Sequence, residues 1–464
     1  MNKVFIQFIN RALLVSASLV FGVGSVMAAE NSEPQVGPDG QPIEPPKPKF
    51  LKAPVMHTNW TRDCKPMGLD KAPEGSQQRR ASALQPANFR RLERAQEAMQ
   101  NELWDDALVV LNDLATRAAS RPYDLAKTNE YIGYVHLSKG DYETAIGFFE
   151  KAINAKVLPE QSEQSLIRNV AGLYLAIEPP QPEKALQIIR TWFKTAVNPK
   201  PKDYELLGQA AVMGKLYKES ICPMRMAINL AEEPKKSWYD ILVAAHYELK
   251  NFEGAAIVAK ERLISFPKED KYWNQLSGLY QKLEREQDAL VLLELAYKQG
   301  MLKKGSEYRN LASMYAMQEI PYKAAAVLED GLKKGIVKAT EKHWKQTGGS
   351  WQLARESKKA IDAYAEAGKL AEDGLNEMRI GVLYSDREDW NKAIEYFNMA
   401  LSKGGLDTNT GRTHMNLGIA LFNACRVNES LESLRNATKF DNTARNARQW
   451  INYVQDASQR ACRS

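Results

Sequence analysis

The sequence is poor in the residues on which most enzymes and metalloproteins depend. It has 5 histidines and 4 cysteines among 464 residues, and no two cysteines have the C-x-x-C spacing of a zinc or redox site. No H-E-x-x-H, G-x-S-x-G or phosphate-loop pattern occurs. The sequence therefore predicts no catalytic residue, no metal site and no cofactor, and we expect a protein that is not an enzyme.

An excess of charge of one sign is also missing. Lysine and arginine total 63 against 57 acidic residues, which gives a net charge of +6. The first 28 residues contain Lys3 and Arg11 and no acid, so without them the net charge is 6 − 2 = +4. So small an excess on so long a chain is not typical of nucleic-acid-binding proteins. We expect no nucleic-acid partner and no attraction to a membrane surface.

The N-terminus has the pattern of an export signal. Lys3 and Arg11 precede a largely apolar stretch, residues 12–23, and Val26-Met27-Ala28 places small residues where a signal peptidase reads them. The apolar stretch is too short to span a bilayer as a mature helix. We predict a cleavable signal peptide at residues 1–28, a periplasmic location and no integral membrane span in the mature chain. The alternative is a retained N-terminal anchor.

Residues 29–87 have the composition of a tether. Prolines recur through residues 29–56 and apolar residues are few, which favours neither helix nor sheet. We predict a proline-rich N-terminal tether, which acts either as a spacer or as a partner motif. Trp60 and Cys64 suggest that part of it docks on the rest of the protein.

From residue 88 onward the sequence repeats. Each repeat has a small residue near the start of a second helix, with an aromatic residue about nine positions earlier and apolar residues four and seven positions later. Successive small residues, here called anchors, are 33 to 40 residues apart, which is typical of helix-turn-helix solenoids. The anchors are Ala107, Ala145, Ala185, Ser220, Ala255, Ala289, Ala324, Ala360, Ala393 and Ser430.

The repeat that contains Ala289 is the clearest. Trp273, Leu276 and Tyr280 fall on one face of a first helix, because three or four residues make about one turn. This pattern resembles the tetratricopeptide repeat (TPR). The resemblance implies an all-α, right-handed superhelix of about ten repeats over residues 88–441, closed by a capping helix at residues 442–464. Residues 177–182 add prolines to the third repeat and predict a longer connection there.

The same resemblance implies a concave groove, lined by the first helix of each repeat, that binds a protein or peptide. In repeats six to eight the groove is expected to be polar and basic, which suits an acidic peptide or a carboxylate terminus. Its predicted residues are Lys271, Asn274, Gln281, Arg309, Lys342, Lys345 and Gln352. In repeats nine and ten it is expected to be apolar, with Met378, Val382, Met415, Ile419 and Phe422. The alternatives are a solvated basic face and an apolar face covered by the capping helix.

Three segments, residues 276–302, 306–337 and 383–406, resemble a narrower family, the periplasmic TPR proteins that accompany TonB-type energy-coupling systems. That resemblance implies an accessory scaffold of such a system, with components of the coupling complex as partners. A cell-envelope assembly or secretion scaffold is the alternative. The sequence leaves the partner and the oligomeric state open.

The cysteines allow two disulfides in an oxidising compartment. Cys425 lies at the end of a first helix, and about 19 residues of capping helix return the chain by about 28 Å, which brings Cys462 to the same end. We therefore predict a Cys425–Cys462 bridge. A Cys64–Cys222 bridge is the second prediction, since the chain between Cys64 and the first repeat is long enough to reach Cys222. The alternative is four free thiols.

Overall fold

The computed structural model describes residue 52, residues 64–70, residue 79 and residues 82–461. The predicted signal peptide, most of the tether and residues 462–464 lie outside the described residues. The described chain is built of α-helices, and it divides into two compact units, the first ending at Pro267 and the second beginning at Lys268.

The described part of the first unit contains ten helices, which run in consecutive antiparallel pairs. They are α1 (Pro86–Gln100), α2 (Trp104–Arg117), α3 (Pro122–Ser138), α4 (Tyr142–Asn154), α5 (Glu160–Ala176), α6 (Pro182–Phe193), α7 (Pro201–Met213), α8 (Tyr217–Leu230), α9 (Lys236–Glu248) and α10 (Phe252–Ser265).

The second unit continues in the same way and ends in a longer helix. Its helices are α11 (Asp270–Lys282), α12 (Glu286–Lys298), α13 (Gly305–Met317), α14 (Pro321–Lys333), α15 (Glu341–Leu353), α16 (Ser357–Leu370), α17 (Leu375–Ser385), α18 (Trp390–Lys403), α19 (Thr410–Asn423), α20 (Val427–Ala437) and α21 (Asp441–Ala461). A short 3-10 turn, Asp407–Asn409, precedes α19. Odd-numbered helices from α1 to α19 are called first helices below, and even-numbered helices are called second helices.

The anchors explain the pairing of the helices. Every anchor is the fourth residue of a second helix, and each has at most 2% of its surface exposed. A small side chain there lets the second helix approach the first closely. The sequence prediction of an all-α array of TPR-like helix pairs is therefore confirmed, while the number of repeats stays a prediction.

Glycines on first helices make the same close approach from the other side. A Cβ atom added at Gly348 would lie 2.8 Å from the ring of Tyr364 in α16, and one at Gly381 would lie 2.7 Å from the ring of Phe397 in α18. These aromatic side chains are fully buried. Each pair is therefore held by a ring that rests directly on the backbone of its partner helix.

The turn inside each pair is short, and nine of the ten turns have one residue in the left-handed region. Most of these turns have three residues, and the left-handed residue is rarely glycine. Those with positive φ are Glu102, Gly140, Lys215, Lys250, Glu284, Glu319, Arg355, Glu388 and Cys425. In the third pair five residues connect α5 to α6, because the proline-rich insertion ends with Pro182 at the first position of α6.

The last helix covers the end of the second unit. Val454 of α21 is buried against Phe422 and Leu434, and Trp450 and Ile451 pack around them. Cys425 is disulfide-bonded. Its predicted partner Cys462 lies outside the described residues, so the Cys425–Cys462 pairing stays a prediction.

Candidate functional site

The basic residues predicted from the sequence lie on the first helices α11, α13 and α15 of the second unit. Asn274, Arg309 and Lys345 occupy the same position in successive repeats, because their spacings of 35 and 36 residues match those of the anchors. Direct contacts show that α11 and α13 lie side by side. The Asn274 amide donates to Glu307 Oε1 at 2.8 Å, and the Gln281 amide lies 3.4 Å from Met314 Sδ. We call the surface made by α11, α13 and α15 the first-helix face.

The cations of this face differ in how far the protein neutralises them. Lys345 donates to Glu341 Oε1 at 2.9 Å, and this hydrogen bond lowers the pKa of the Glu341 carboxyl group. The Lys271 ammonium lies 5.1 Å above the ring centroid of Tyr272. Arg309 and Lys342 form no ion pair within the described part of the chain. Arg309 is half-buried and Lys342 is exposed, so two positive charges remain to attract an anion.

A pocket of about 140 Å³ is lined by residues of α11, α12 and α13. Gln281 of α11 and Glu286 of α12 form one side of it, and the other side is made by Asn310, Ser313, Met314 and Met317 of α13. Met317 is 69% exposed. Amide and hydroxyl groups beside a flexible thioether suit a polar or mixed side chain of a bound peptide.

Two glycines on the same face have no packing partner that explains them. A Cβ atom added at Gly278 would meet nothing within 4 Å, and one at Gly349 would meet only the Tyr364 hydroxyl at 3.7 Å. Glycine inside a helix costs about 0.5–1 kcal/mol relative to alanine. Contacts among the described residues therefore do not account for glycine at these positions.

Gln352, the last predicted residue of the basic set, has its side chain engaged inside the protein. Its Oε1 accepts a hydrogen bond from the Tyr364 hydroxyl at 3.0 Å. This contact joins α15 to α16, so Gln352 supports the helix pair from the end of the first-helix face.

The predicted apolar residues are placed differently. Met378 is 9% exposed and Phe422 is 6% exposed, while Val382, Met415 and Ile419 are half-buried. Met415 and Phe422 pack with Trp450 and Ile451 of α21. The capping helix therefore packs over Met415 and Phe422, which is the arrangement that the sequence left open as an alternative.

Asn310, Ser313 and Met317 were not anticipated from the sequence. Ser313 and Met317 follow Arg309 by about one and two helical turns, which places them on the same face of α13, and Asn310 is next to Arg309 in the chain. That periodicity was the available signal, but polar residues on a helix most often meet only water.

None of the helices in the described residues could span a lipid bilayer. The same residues also contain no cluster of three or more histidine, cysteine or acidic side chains placed to hold a metal ion.

Comparison with known proteins gives likeness in structure only. No family model matches the chain, and no curated protein matches it. A tetratricopeptide repeat protein from Parabacteroides merdae is 13% identical with a TM-score of 0.35, and the match covers 58% of this chain and 100% of that one. The Cut9–Hcn1 hetero-tetramer of the APC/C is 12% identical with a TM-score of 0.27, covering 81% and 91%. A MamA double mutant is 18% identical with a TM-score of 0.34, covering 41% and 99%.

These TM-scores are all below 0.5, so the description of the fold rests on the helices of this chain. Anchors at one fixed helical position, buried rings on facing glycines and short intra-pair turns are the features that decide it. The chain has the architecture of a TPR protein. In arrays of this kind the side chains of successive first helices form an extended surface.

Proposed function

We propose that this protein is a periplasmic scaffold that accompanies a TonB-type energy-transducing uptake system. Three features support the proposal. Residues 1–28 have the pattern of a cleavable signal peptide. A disulfide joins Cys64 to Cys222, and such bonds persist in oxidising compartments such as the bacterial periplasm. Three segments of the second unit resemble the TPR proteins of TonB-type systems.

The observation that carries the binding part of the proposal is the pair of unneutralised cations on the first-helix face. Arg309 and Lys342 lie on adjacent first helices and have no acidic partner among the described residues. A carboxylate-bearing segment of a partner would supply the missing charge, and guanidinium groups bind carboxylates with paired hydrogen bonds. The partner we propose is an acidic segment of the coupling complex.

A cell-envelope assembly or secretion scaffold remains the second candidate. It has the same location and the same binding face, so only the identity of the partner separates the two. Captured components of the uptake system favour the first candidate, and captured assembly or secretion components favour the second.

The test is crosslinking in intact cells followed by purification from the periplasmic fraction. The charge-reversed variant combines Arg309→Glu, Lys342→Glu and Lys345→Glu. Its matched control combines Lys298→Glu, Lys333→Glu and Lys369→Glu on second helices, where each lysine is about two-thirds exposed. Both variants change the net charge by the same amount.

We expect the first variant to lose at least tenfold in capture of the partner, and the control to capture normally. Equal capture by both variants would show that the first-helix face is not the binding site. Recovery of the protein in the cytoplasmic fraction with residues 1–28 intact would refute the periplasmic location.

A further inference from the structure

A short N-terminal segment, residues 64–70, is docked on the first unit far from its own position in the sequence. Cys64 is buried and is joined by a disulfide to Cys222 of α8, which lies 158 residues later. The segment then reaches the connection between α6 and α7. We call the surface made by residues 196–199, Tyr204 and Cys222 the docking edge.

The docking edge contacts the main chain of the segment at two residues, Met67 and Leu69. Leu69 N donates to Ala196 O at 2.8 Å, and Asn198 N donates to Leu69 O at 2.8 Å, which makes a parallel bridge between Leu69 and Val197. The Tyr204 hydroxyl donates to Met67 O at 2.8 Å and accepts from Met67 N at 3.1 Å. Four hydrogen bonds therefore hold the backbone of two residues, as in recognition of an extended peptide by an added strand.

One position of the segment has a strict requirement. Gly68 lies between the two docked residues and has φ of +91°. An added Cβ atom would lie 2.5 Å from Pro199 Cγ and 2.9 Å from Ala196 O. Only glycine fits this contact, because the backbone conformation and the lack of space both exclude a side chain.

Two contacts on either side of the segment are also made by single side chains. The Lys52 ammonium donates to Asn229 O and Ala231 O, each at 2.8 Å, at the C-terminal end of α8. Arg79 forms an ion pair with Glu163 of α5, which also receives Lys156 at 2.8 Å. The chain before α1 is thus held at several points along the first unit.

We propose that the docking edge is a binding site for an extended, glycine-containing peptide, and that residues 64–70 are its resident ligand, locked in place by the Cys64–Cys222 disulfide. A dithiol reductant opens the lock: it transfers two electrons and two protons to the disulfide, which gives two cysteine thiols, and is itself oxidised to a disulfide. The unlocked segment then exchanges with an extended segment of a partner that has glycine between its two docked residues.

The tether makes the choice of variants important. A segment that is covalently attached has a high effective concentration at its own site, so it outcompetes a free peptide even after reduction. The open variant therefore combines Cys64→Ser and Cys222→Ser with Gly68→Ala in the full chain. Its matched control has the same two cysteine substitutions but keeps Gly68 and has Gly140→Ala instead. Gly140 is another glycine with positive φ, and an added Cβ atom there would meet nothing within 4 Å.

The first measurement is amide hydrogen exchange of the full-length protein, oxidised and after treatment with dithiothreitol. We expect exchange of the Leu69 and Asn198 amides to accelerate together at least tenfold on reduction, with the helical amides of α7 unchanged. Equal protection of these two amides in both states would show that the segment is a fixed part of the fold, and would overturn the proposal.

The second measurement is binding of a synthetic peptide with the sequence of residues 64–70, in which serine replaces the cysteine. We expect at least tenfold tighter binding to the open variant than to the oxidised wild type or the matched control. A peptide with alanine in place of its glycine is expected not to bind. Absence of binding to an open variant that keeps its helical circular dichroism would overturn the docking site, as would equal binding to all three proteins. Both measurements use purified protein, so their outcome is independent of the proposed function.

Discussion

Three aromatic side chains of first helices donate a hydrogen bond to a glutamate of the preceding second helix. The Tyr174 hydroxyl donates to Glu150 Oε1 at 2.7 Å, and Trp351 Nε1 donates to Glu329 Oε2 at 2.7 Å. Tyr315 makes the same contact with Glu294. Burial, together with the glutamate partner, raises the pKa of Tyr174 to about 12. Each bond joins one helix pair to the next, so these side-chain hydrogen bonds help to stabilise the array.

Replacement of one hydroxyl tests this contact. Tyr315→Phe keeps the ring and removes the hydrogen bond to Glu294, so we expect the free energy of unfolding to fall by about 1–2 kcal/mol. Tyr453→Phe is the control, since Tyr453 is 54% exposed. The measurement is urea-induced unfolding followed by circular dichroism. Equal stability of the two variants would show that the hydroxyl contributes nothing.

Glu294 also makes the stability of the fold depend on pH. Hydrogen bonds from Lys298 and Lys323 lower the pKa of Glu294 to about 2 from 4.5. A depressed pKa stabilises the fold at pH values above 4.5, and that contribution is lost as the pH falls from 4.5 toward 2. After allowance for solvent screening, the contribution of Glu294 to the free energy of unfolding is on the order of 1–2 kcal/mol.

The measurement compares wild type with Glu294→Gln by urea unfolding between pH 7 and pH 2. We expect the wild type to be more stable at neutral pH, with the difference shrinking as Glu294 becomes protonated. A difference that stays constant over this range would contradict the assignment.

Of the residues that hold the helices together, the sequence predicts some and not others. All the anchors were predictable, because a small residue recurring at one spacing has few explanations other than close helix contact. Glu150, Glu294 and Glu329 were not, since a glutamate on a helix usually meets water. Their role depends on which face of a second helix meets the next pair, and no periodicity within one repeat carries that information.

At the scale of the helix, replacement by alanine is expected to have opposite effects on stability at two glycines of first helices. Gly381 rests against the ring of Phe397, whereas an added Cβ atom at Gly278 would meet nothing within 4 Å. Gly381→Ala is therefore expected to lower the free energy of unfolding by about 1–3 kcal/mol through overpacking. Gly278→Ala is expected to raise it by about 0.5–1 kcal/mol, because alanine favours the helix.

Chemical denaturation of the two variants beside wild type checks this pair, and each serves as the control of the other. A loss of stability in Gly278→Ala would mean that the space beside this helix is filled in the native protein. A gain in Gly381→Ala would mean that the two helices are not in tight contact.

The predicted groove residues show which features of a helix cannot be predicted from the sequence. An apolar stripe on a first helix looks the same whether it meets a partner or another helix of the same chain. The sequence therefore left both readings of Met415 and Phe422 open, and the packing of α21 over them decides the local arrangement. The repeat pattern puts Arg309 and Lys342 on first helices, but only the three-dimensional structure shows that neither has an acidic partner among the described residues.

At the scale of the whole molecule, stability is expected to vary along the chain. Helix pairs in a repeat array are stabilised mainly by their neighbours, so a pair at an end has fewer contacts. We expect the amides of α1 and α2 to exchange at least tenfold faster than those of α7 and α8, which lie inside the first unit and bind the docked segment. Uniform exchange over these four helices would indicate one cooperative unit and contradict this expectation.

Long-range features were the least predictable from the sequence. The array of helix pairs follows from local periodicity, whereas the docking of residues 64–70 joins positions 158 residues apart and has no local pattern. Cys64 did suggest a contact between the tether and the repeats, and the disulfide to Cys222 provides one. The hydroxyl of Tyr204 and the space around Gly68, which define that contact, could not be read from the chain alone.

The left-handed turns have a practical consequence for anyone who redesigns this protein. Five of these turns have a lysine, glutamate or arginine in a left-handed backbone conformation that glycine would adopt with little strain. These residues are Lys215, Lys250, Glu284, Glu319 and Arg355. Replacement by glycine at any one of them relieves about 1 kcal/mol of strain, partly offset by the greater freedom of the unfolded chain. The sites lie in different pairs and share no partner, so their effects add. The stability of the array can thus be adjusted in graded steps, at positions outside the docking edge.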